Sequence, residues 1–341
     1  MTKRTRLFVA VASGILVVGL GTGLLAAYVG GFQNLTIIGG DGPGELVYVP
    51  ADTHFVAYAN VRDVMDSELR HKLSALQPDS SRGPEQFKEH TGIDVETDID
   101  YIVASFPEMG NPTEGQPPLV LARGRFDNVR IEGLVREQGG TVEDYNGARL
   151  LVHEEKSLAM VFLEPGLVAI GPLAAVRASI DTKAAGSSVR NNDEVMRLVR
   201  GIDDGDAWVV ARFDALTGGK LPAEVASQLP PINWFSARAF IDSGLQGQLR
   251  VEARDEASAQ NLQEVVRGFM ALGRLQSGQH PEVAEFLNSV QLSGEGKNVS
   301  LSFSVPSEMI DALGAFRAQR SRPRPAPTPV PAPQPDATPA L

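Results

Sequence analysis

Histidine is the side chain that most readily moves protons or holds metals near neutral pH, and this chain has five: His54, His71, His90, His153 and His280. No two of them fall at metal-ligand spacing, and His153-Glu154-Glu155 lacks the second histidine of a zinc-protease helix. All five read as surface or strand-end residues. Acids form two further clusters. Asp94, Glu96, Asp98 and Asp100 alternate as calcium ligands do, but Ile99 stands where an EF-hand loop needs glycine and Ser105 where it needs glutamate. Their alternation reads instead as the solvated face of a strand. Asp203, Asp204 and Asp206 fall in GIDDGD, where turn chemistry accounts for both residue types without an ion. There is no G-x-S-x-G elbow and no phosphate-binding loop; GLGTG at Gly19–Gly23 sits inside an apolar run with no strand before it. Trp208 and Trp234 lie on expected strands, where core packing is the default and a ligand-stacking surface the rarer use. No catalytic, cofactor-binding or metal-ligating residue is assigned from these patterns, and no cofactor is expected.

Composition narrows the function classes further. The formal net charge is −11, and because Lys3, Arg4 and Arg6 precede the apolar run the residues after it carry −14. An acidic surface repels nucleic acid and anionic headgroups, so neither is an expected partner of the globular part. The absence of cysteine excludes disulfides, thiolate metal sites and a cysteine nucleophile. The fold must therefore stand on packing alone.

One stretch gives the rest its address. Leu7 to Val29 is 23 residues without a charge, longer than the ~20 that a membrane-crossing helix needs. The positive flank before it, against Asp41 and Glu45 after it, places the amino terminus in the cytoplasm and the remainder outside. The run exceeds an ordinary secretory core and Leu25-Ala26-Ala27 matches a cleavage site poorly, so a retained anchor is expected. Gly19, Gly23, Ala27 and Gly31 recur every fourth residue, a spacing that lets two membrane helices approach and dimerise, although small residues are common in such helices anyway.

The residues after the anchor read as alternating strands and capped helices. Phe32 to Gly44 is a flexible spacer ending in GGDGPG. Strands follow at Thr53–Val61, Asp98–Phe106 and Pro118–Phe126, with Asp63 expected to cap a helix bearing Met65, Leu69, Leu73 and Leu76. Asp127 caps the next helix, a meander of short strands ends at a helix opened by Pro172, and Ala184–Ser188 forms a small polar joint. The order then repeats: an Asn191/Glu194 capping pair, DAWVVARF, a hairpin turning at Asp242-Ser243-Gly244, a long helix after Asp255, a second hairpin and a last helix from Ser307. Hairpins with helices laid on one face predict an α+β fold, and the repeated order predicts a duplication of 45–184 by 188–318. From Arg320 to Leu341 proline occupies every second position over much of its length, which predicts a disordered, extended tail dispensable for folding; Arg317, Arg320, Arg322 and Arg324 give it a positive root that anionic envelope polymers would suit. Asn34 and Asn298 head glycosylation sequons.

The opening VPADTHFVAYANV, the passage TGIDVETDIDYIVASF and the closing helix, hairpin and helix from Pro281 to Phe316 resemble a loose group of uncharacterised bacterial signal-anchored exported proteins with duplicated α+β ectodomains. The resemblance covers roughly Val49 to Ala318. It implies an envelope location and a fold, and it transfers no activity and no site residue.

The expected organisation is thus a stub and transmembrane anchor (1–31), spacer (32–44), two α+β halves (45–184 and 188–318) and tail (320–341). The expected function is a membrane-anchored envelope protein with a non-catalytic binding or scaffolding ectodomain, its partners being the membrane through residues 7–29 and an envelope protein or polymer. Two alternatives follow from the same reading: an envelope hydrolase or peptidase with a site assembled from distant residues, or a carrier of apolar ligands. The topology is testable directly. A carboxy-terminal reporter should be active only outside the cytoplasmic membrane and should sediment with membranes; activity confined to the cytoplasm overturns the orientation.

Overall fold

The computed structural model describes residues 41–76, 87–89, 91–106, 117–153, 157–213, 230–277, 281–307 and 309. The Leu7–Val29 run with Gly19, Gly23 and Ala27, the sequon at Asn34, His90, His280 and the tail from Arg320 lie outside them.

Twelve strands among the described residues form one sheet in which every neighbouring pair is antiparallel. In chain order they are β1 (Phe55–Asn60), β2 (Ile99–Phe106), β3 (Leu119–Gly124), β4 (Thr141–Tyr145), β5 (Ala148–His153), β6 (Leu158–Glu164), β7 (Leu167–Pro172), β8 (Ala207–Arg212), β9 (Ile232–Ile241), β10 (Leu245–Ala253), β11 (Gln291–Glu295) and β12 (Asn298–Val305). Across the sheet they run β11-β12-β10-β9-β8-β1-β2-β3-β7-β6-β5-β4. Strands from before and after the Ala184–Ser188 joint therefore meet at the β1–β8 seam, where Ala57 pairs with Val209 and Ala59 with Ala207. The result is a mixed α+β fold built on one large antiparallel sheet.

Helices cover both faces, whereas the hairpin pattern predicted one. The first face carries Val56, Tyr58, Val103, Leu121 and Trp208, packed under α5 (Leu173–Ala185), α6 (Asp193–Val199) and 3-10 turns at Gly44–Tyr48 and Val189–Asn191. The second face is covered near β2–β6 by α1 (Val61–Asp66), α3 (Val95–Asp98) and α4 (Asn128–Glu137), through Val61, Met65, Val95 and Ile131. Towards β12 it is covered by α7 (Glu256–Gln276), through Ala259 and Leu262, and α8 (Pro281–Ser289), through Phe286. Central strands buried on both sides have no polar face to alternate with, which is why β8 reads AWVVAR.

Local chemistry differs from the expectation at several points. Asn60, not Asp63, caps α1, its side chain accepting from the Asp63 N–H, and Ser67 separates α1 from α2 (Glu68–Leu76). Asn192 rather than Asn191 caps α6. The alternating acids are not a strand face. Asp94 caps the single turn α3, accepting from Glu96 N at 2.9 Å, while Lys88 pairs with Asp94 at 2.6 Å and Arg62 with Asp100 at 2.8 Å. Short acidic side chains compete for nearby backbone N–H groups, and that competition favours a helical turn before the strand.

The end of the expected spacer is held rather than loose. Asp41 pairs with Arg200 at 3.1 Å, and Pro43 O accepts from Arg190 at 3.0 Å. Glu45, 2 % exposed, then enters the first face and accepts from Arg123 Nη2 at 2.6 Å, Arg123 Nε at 2.8 Å and the Tyr101 hydroxyl at 2.9 Å. Tyr48 donates to Glu164 at 2.7 Å, and Glu164 reaches Arg123 at 3.3 Å. Burial foremost, then the Glu45 charge, pushes the Tyr101 hydroxyl up, so it stays a neutral donor. A buried ion pair contributes little over an apolar replacement, but loss of one partner strands the other charge. Glu45→Ala should therefore destabilise the domain by about 3 kcal/mol in denaturant titration and Glu45→Gln by less. Equal stability of Glu45→Ala and wild type would show that the pair does not hold the chain's first turn.

Candidate functional site

Strand register places two rows of small side chains side by side on the second face. One row runs Gly247, Ala239, Ala207 and Ala59, from β10 through β9 and β8 to β1. The next, two residues along each strand, runs Ala237, Val209, Ala57 and Ala104, from β9 to β2. Their floor lies low because an alanine rises only one carbon above the backbone. A cavity of about 210 Å³ follows these rows across the strands.

Larger side chains make its walls. On one side stand Val251, Phe235 and Phe55, with Phe55 packed edge-on against Phe106 at 5.1 Å between ring centres. On the other side Val64 of α1 and Leu69 of α2 pack with Ile241 and Leu245. Phe303 closes one end by lying over Gly247, where an added Cβ would come within 2.3 Å of the ring. Ile102 and Val120 border the other end. The apolar cluster along the floor, Val209, Ala211, Phe235 and Ala237 with Phe55, Ala57, Leu249 and Val251, consists of strand residues alone. Among the described residues no helix contributes to it.

Among the described residues, the side chains on the trench floor are apolar. Tyr58 and Arg238 border it, but strand alternation directs their side chains to the first face. There Tyr58 stacks on Trp208 at 5.6 Å, and Arg238 pairs with Asp204 and lies over Phe240. The two tryptophans sit in the core as packing residues. Trp208 is buried in the stack, and Trp234 donates from Nε1 to Glu194 at 2.7 Å. No group of three His, Cys, Asp or Glu able to hold a metal occurs among the described residues, which include His54, His71 and His153. A second, polar hollow on the first face lies between α6 and the β9–β12 surface, around Arg197, Arg250, Glu252 and Ser300. Its main charges, Arg197 and Glu252, already satisfy each other at 2.8 Å.

Two acids distant in the sequence lie near enough to act on each other. Asp206 immediately precedes the trench residue Ala207; its carbonyl accepts from Asn60 N at 2.7 Å and its carboxylate from Ile241 N at 2.7 Å. Asp63 lies nearby on α1, bonded to the Asn60 amide at 2.7 Å. Burial first, and the Asp206 charge second, raise the Asp63 carboxyl to about 6, and burial raises Asp206 as well. Spacing alone could not have found this pair, because 143 residues separate the two positions in the chain. The small rows were equally hidden, since each strand contributes only one or two of their alanines.

The fold thus defines a class, an antiparallel α+β sheet protein with an apolar cavity along its central strands. No protein-family model matches the sequence, and no curated protein does. Two solved structures of TP0453 are distantly similar to this chain. Crystal form III has a TM-score of 0.49 and 8% identity over 79% of this chain and 97% of that one. Crystal form IV has 0.46 and 9% over 79% and 96%.

A raised acid pKa means that the folded state prefers the proton, so the stability tied to Asp63 is present at low pH and lost as pH rises through about 6. Asp63→Asn keeps the Asn60 contact without the charge. The variant should melt a few degrees above wild type at pH 7.5, a gain on the order of 1 kcal/mol because water screens this half-exposed pair. The gap should close near pH 4. A variant that melts lower at pH 7.5 would mean that the carboxylate is stabilised there, not strained.

Proposed function

We propose that this is a non-catalytic envelope protein, held in the cytoplasmic membrane by Leu7–Val29, whose exported sheet domain binds an apolar ligand in the trench between β10 and β2. The observation that carries the reading is the cavity of about 210 Å³ whose described lining includes Ala57, Ala59, Ala104, Ala237 and Ala239. A mostly apolar cavity of this kind is a default place for an apolar ligand to bind. Of the three functions open to the sequence, apolar binding gains from the trench. Hydrolysis gains nothing from it, since among the described residues no titratable side chain converges on the floor. The anchor and its orientation rest on the charge flanks of the apolar run.

The same reading includes an origin by duplication. From the central seam β1, β2 and β3 run outward one way and β8, β9 and β10 the other, and in each direction a meander returns so that its last strand pairs with the third (β7 with β3, β12 with β10). That arrangement supports the repeat expected from element order.

Native mass spectrometry of the full chain released from membranes tests the binding. Wild type should carry apolar small-molecule adducts, and an Ala57→Phe/Ala237→Phe variant, with the floor filled at two strands, should lose most of them. Identical adducts on both proteins would remove the trench as the site.

A further inference from the structure

The polar hollow on the first face is a second site, independent of the trench. We propose that it binds a small organic oxyanion, a carboxylate or phosphate carried on a hydroxylated body, with Arg250 as the anchoring cation. The hollow measures about 500 Å³, inside the range of roughly 300–1,000 Å³ typical of small-molecule sites. Register sets its floor. Ser236, Arg250 and Ser300 stand directly opposite one another on β9, β10 and β12, so the guanidinium lies between two serines. Asn298 lies two residues back along β12 on the same face, and Arg197 and Leu198 of α6 contribute a wall.

Arg250 is the charge that the hollow does not already neutralise. Of the charged side chains in its described lining, Arg197 and Glu252 pair with each other at 2.8 Å. Glu295 sits at the exposed edge, two strands over from Arg250 and two residues along, which puts about 12 Å between their Cα atoms. Among the described residues Arg250 makes one polar contact, Nη1 donating to Gly201 O at 3.4 Å, the long end of hydrogen bonding. Half-buried, it presents the rest of its fork of N–H donors to the hollow.

These groups select the ligand class. A planar guanidinium matches two oxygens of a carboxylate or phosphate at once, and charge-assisted bonds of that kind are among the strong ones. The serine hydroxyls and the Asn298 amide beside it both donate and accept, which suits a ligand's hydroxyl groups and gives an apolar body nothing to bond. Charge sets the upper limit on size. The chain after the apolar run carries −14, a field that turns away polyanions and anionic membranes, whereas a small ligand with one anionic group meets mainly the local pattern. Hollow and trench lie on opposite faces of β9 and β10, so the backbone of those strands separates the two ligands.

Saturation-transfer difference NMR on the full chain in detergent micelles tests the proposal with galacturonate, glucose 6-phosphate, glucose and propionate as probes. At least one of the two acidic sugars should bind about tenfold more tightly than glucose, which lacks the anion, and than propionate, which lacks the hydroxyls. Comparing the two acidic sugars tells a carboxylate from a phosphate. Arg250→Gln should weaken the better of them about tenfold. Ser300→Asp leaves Arg250 present but gives its guanidinium a carboxylate partner on the neighbouring strand. It should weaken binding as much while thermal unfolding stays close to wild type, and it carries the test should Arg250→Gln not fold. Glucose or propionate binding as tightly as the acidic sugars, unchanged affinity in Ser300→Asp, or no binding of any probe overturns the assignment.

Discussion

The pairing of Phe55–Asn60 with Ala207–Arg212 is the constraint on which the rest of the molecule depends. It joins strands 150 residues apart in the chain into one sheet, and it fixes which side chains of the two central strands face each way. Tyr58 and Trp208 stack on the first face because Ala57, Ala59, Ala207 and Val209 fall on the second. A slip of one residue would exchange the two sets, driving aromatic rings into the trench and alanines under α5 and α6. The bulky first face therefore locks the register that leaves the second face low. The packed core and the shallow-floored cavity are two consequences of one hydrogen-bond pattern.

The two faces also divide the molecule's tasks. The segment leading in from the expected anchor docks on the first face, through Asp41, Pro43 and the buried Glu45–Arg123–Tyr101 cluster. Residues 41–49 then sit beside the joint, where Val189 N donates to Val49 O and Pro50 bridges Ser188. The trench lies on the opposite face, so this docked segment does not obstruct it. Charges are concentrated where the chain is tied down, and the trench floor is apolar, with Asp63 and Asp206 at its border. Burial and the Asp206 charge make the Asp63 carboxylate costly near neutral pH.

Much of the fold was legible in the residues. Period-two alternation located Leu245–Ala253 and Asn298–Val305, the Asp242-Ser243-Gly244 turn placed the hairpin between β9 and β10, and Asp127 and Asp255 capped the helices they were expected to cap. Misreadings were local and have local causes. Asn60 outcompeted Asp63 for the cap, and the acids at Asp94–Asp98 formed a helical turn because their side chains reach their own backbone. The helices were expected on one face because hairpins usually keep a wet one; here the central strands lack a polar face and are covered from both sides.

The sequence by itself determined most strands, the Asp127 and Asp255 caps, the acidic and cysteine-free character and the uncharged run of Leu7–Val29, because each of these is written in neighbouring residues. Only the tertiary structure decided the site. Alanine at positions 57, 59, 104, 207, 237 and 239 is unremarkable strand by strand, and nothing local distinguishes a small residue packed in a core from one that lines a cavity. Register across neighbouring strands sets those alanines side by side in two rows, and the cavity follows them. Both are properties of long-range pairing, which periodicity within a single strand does not encode.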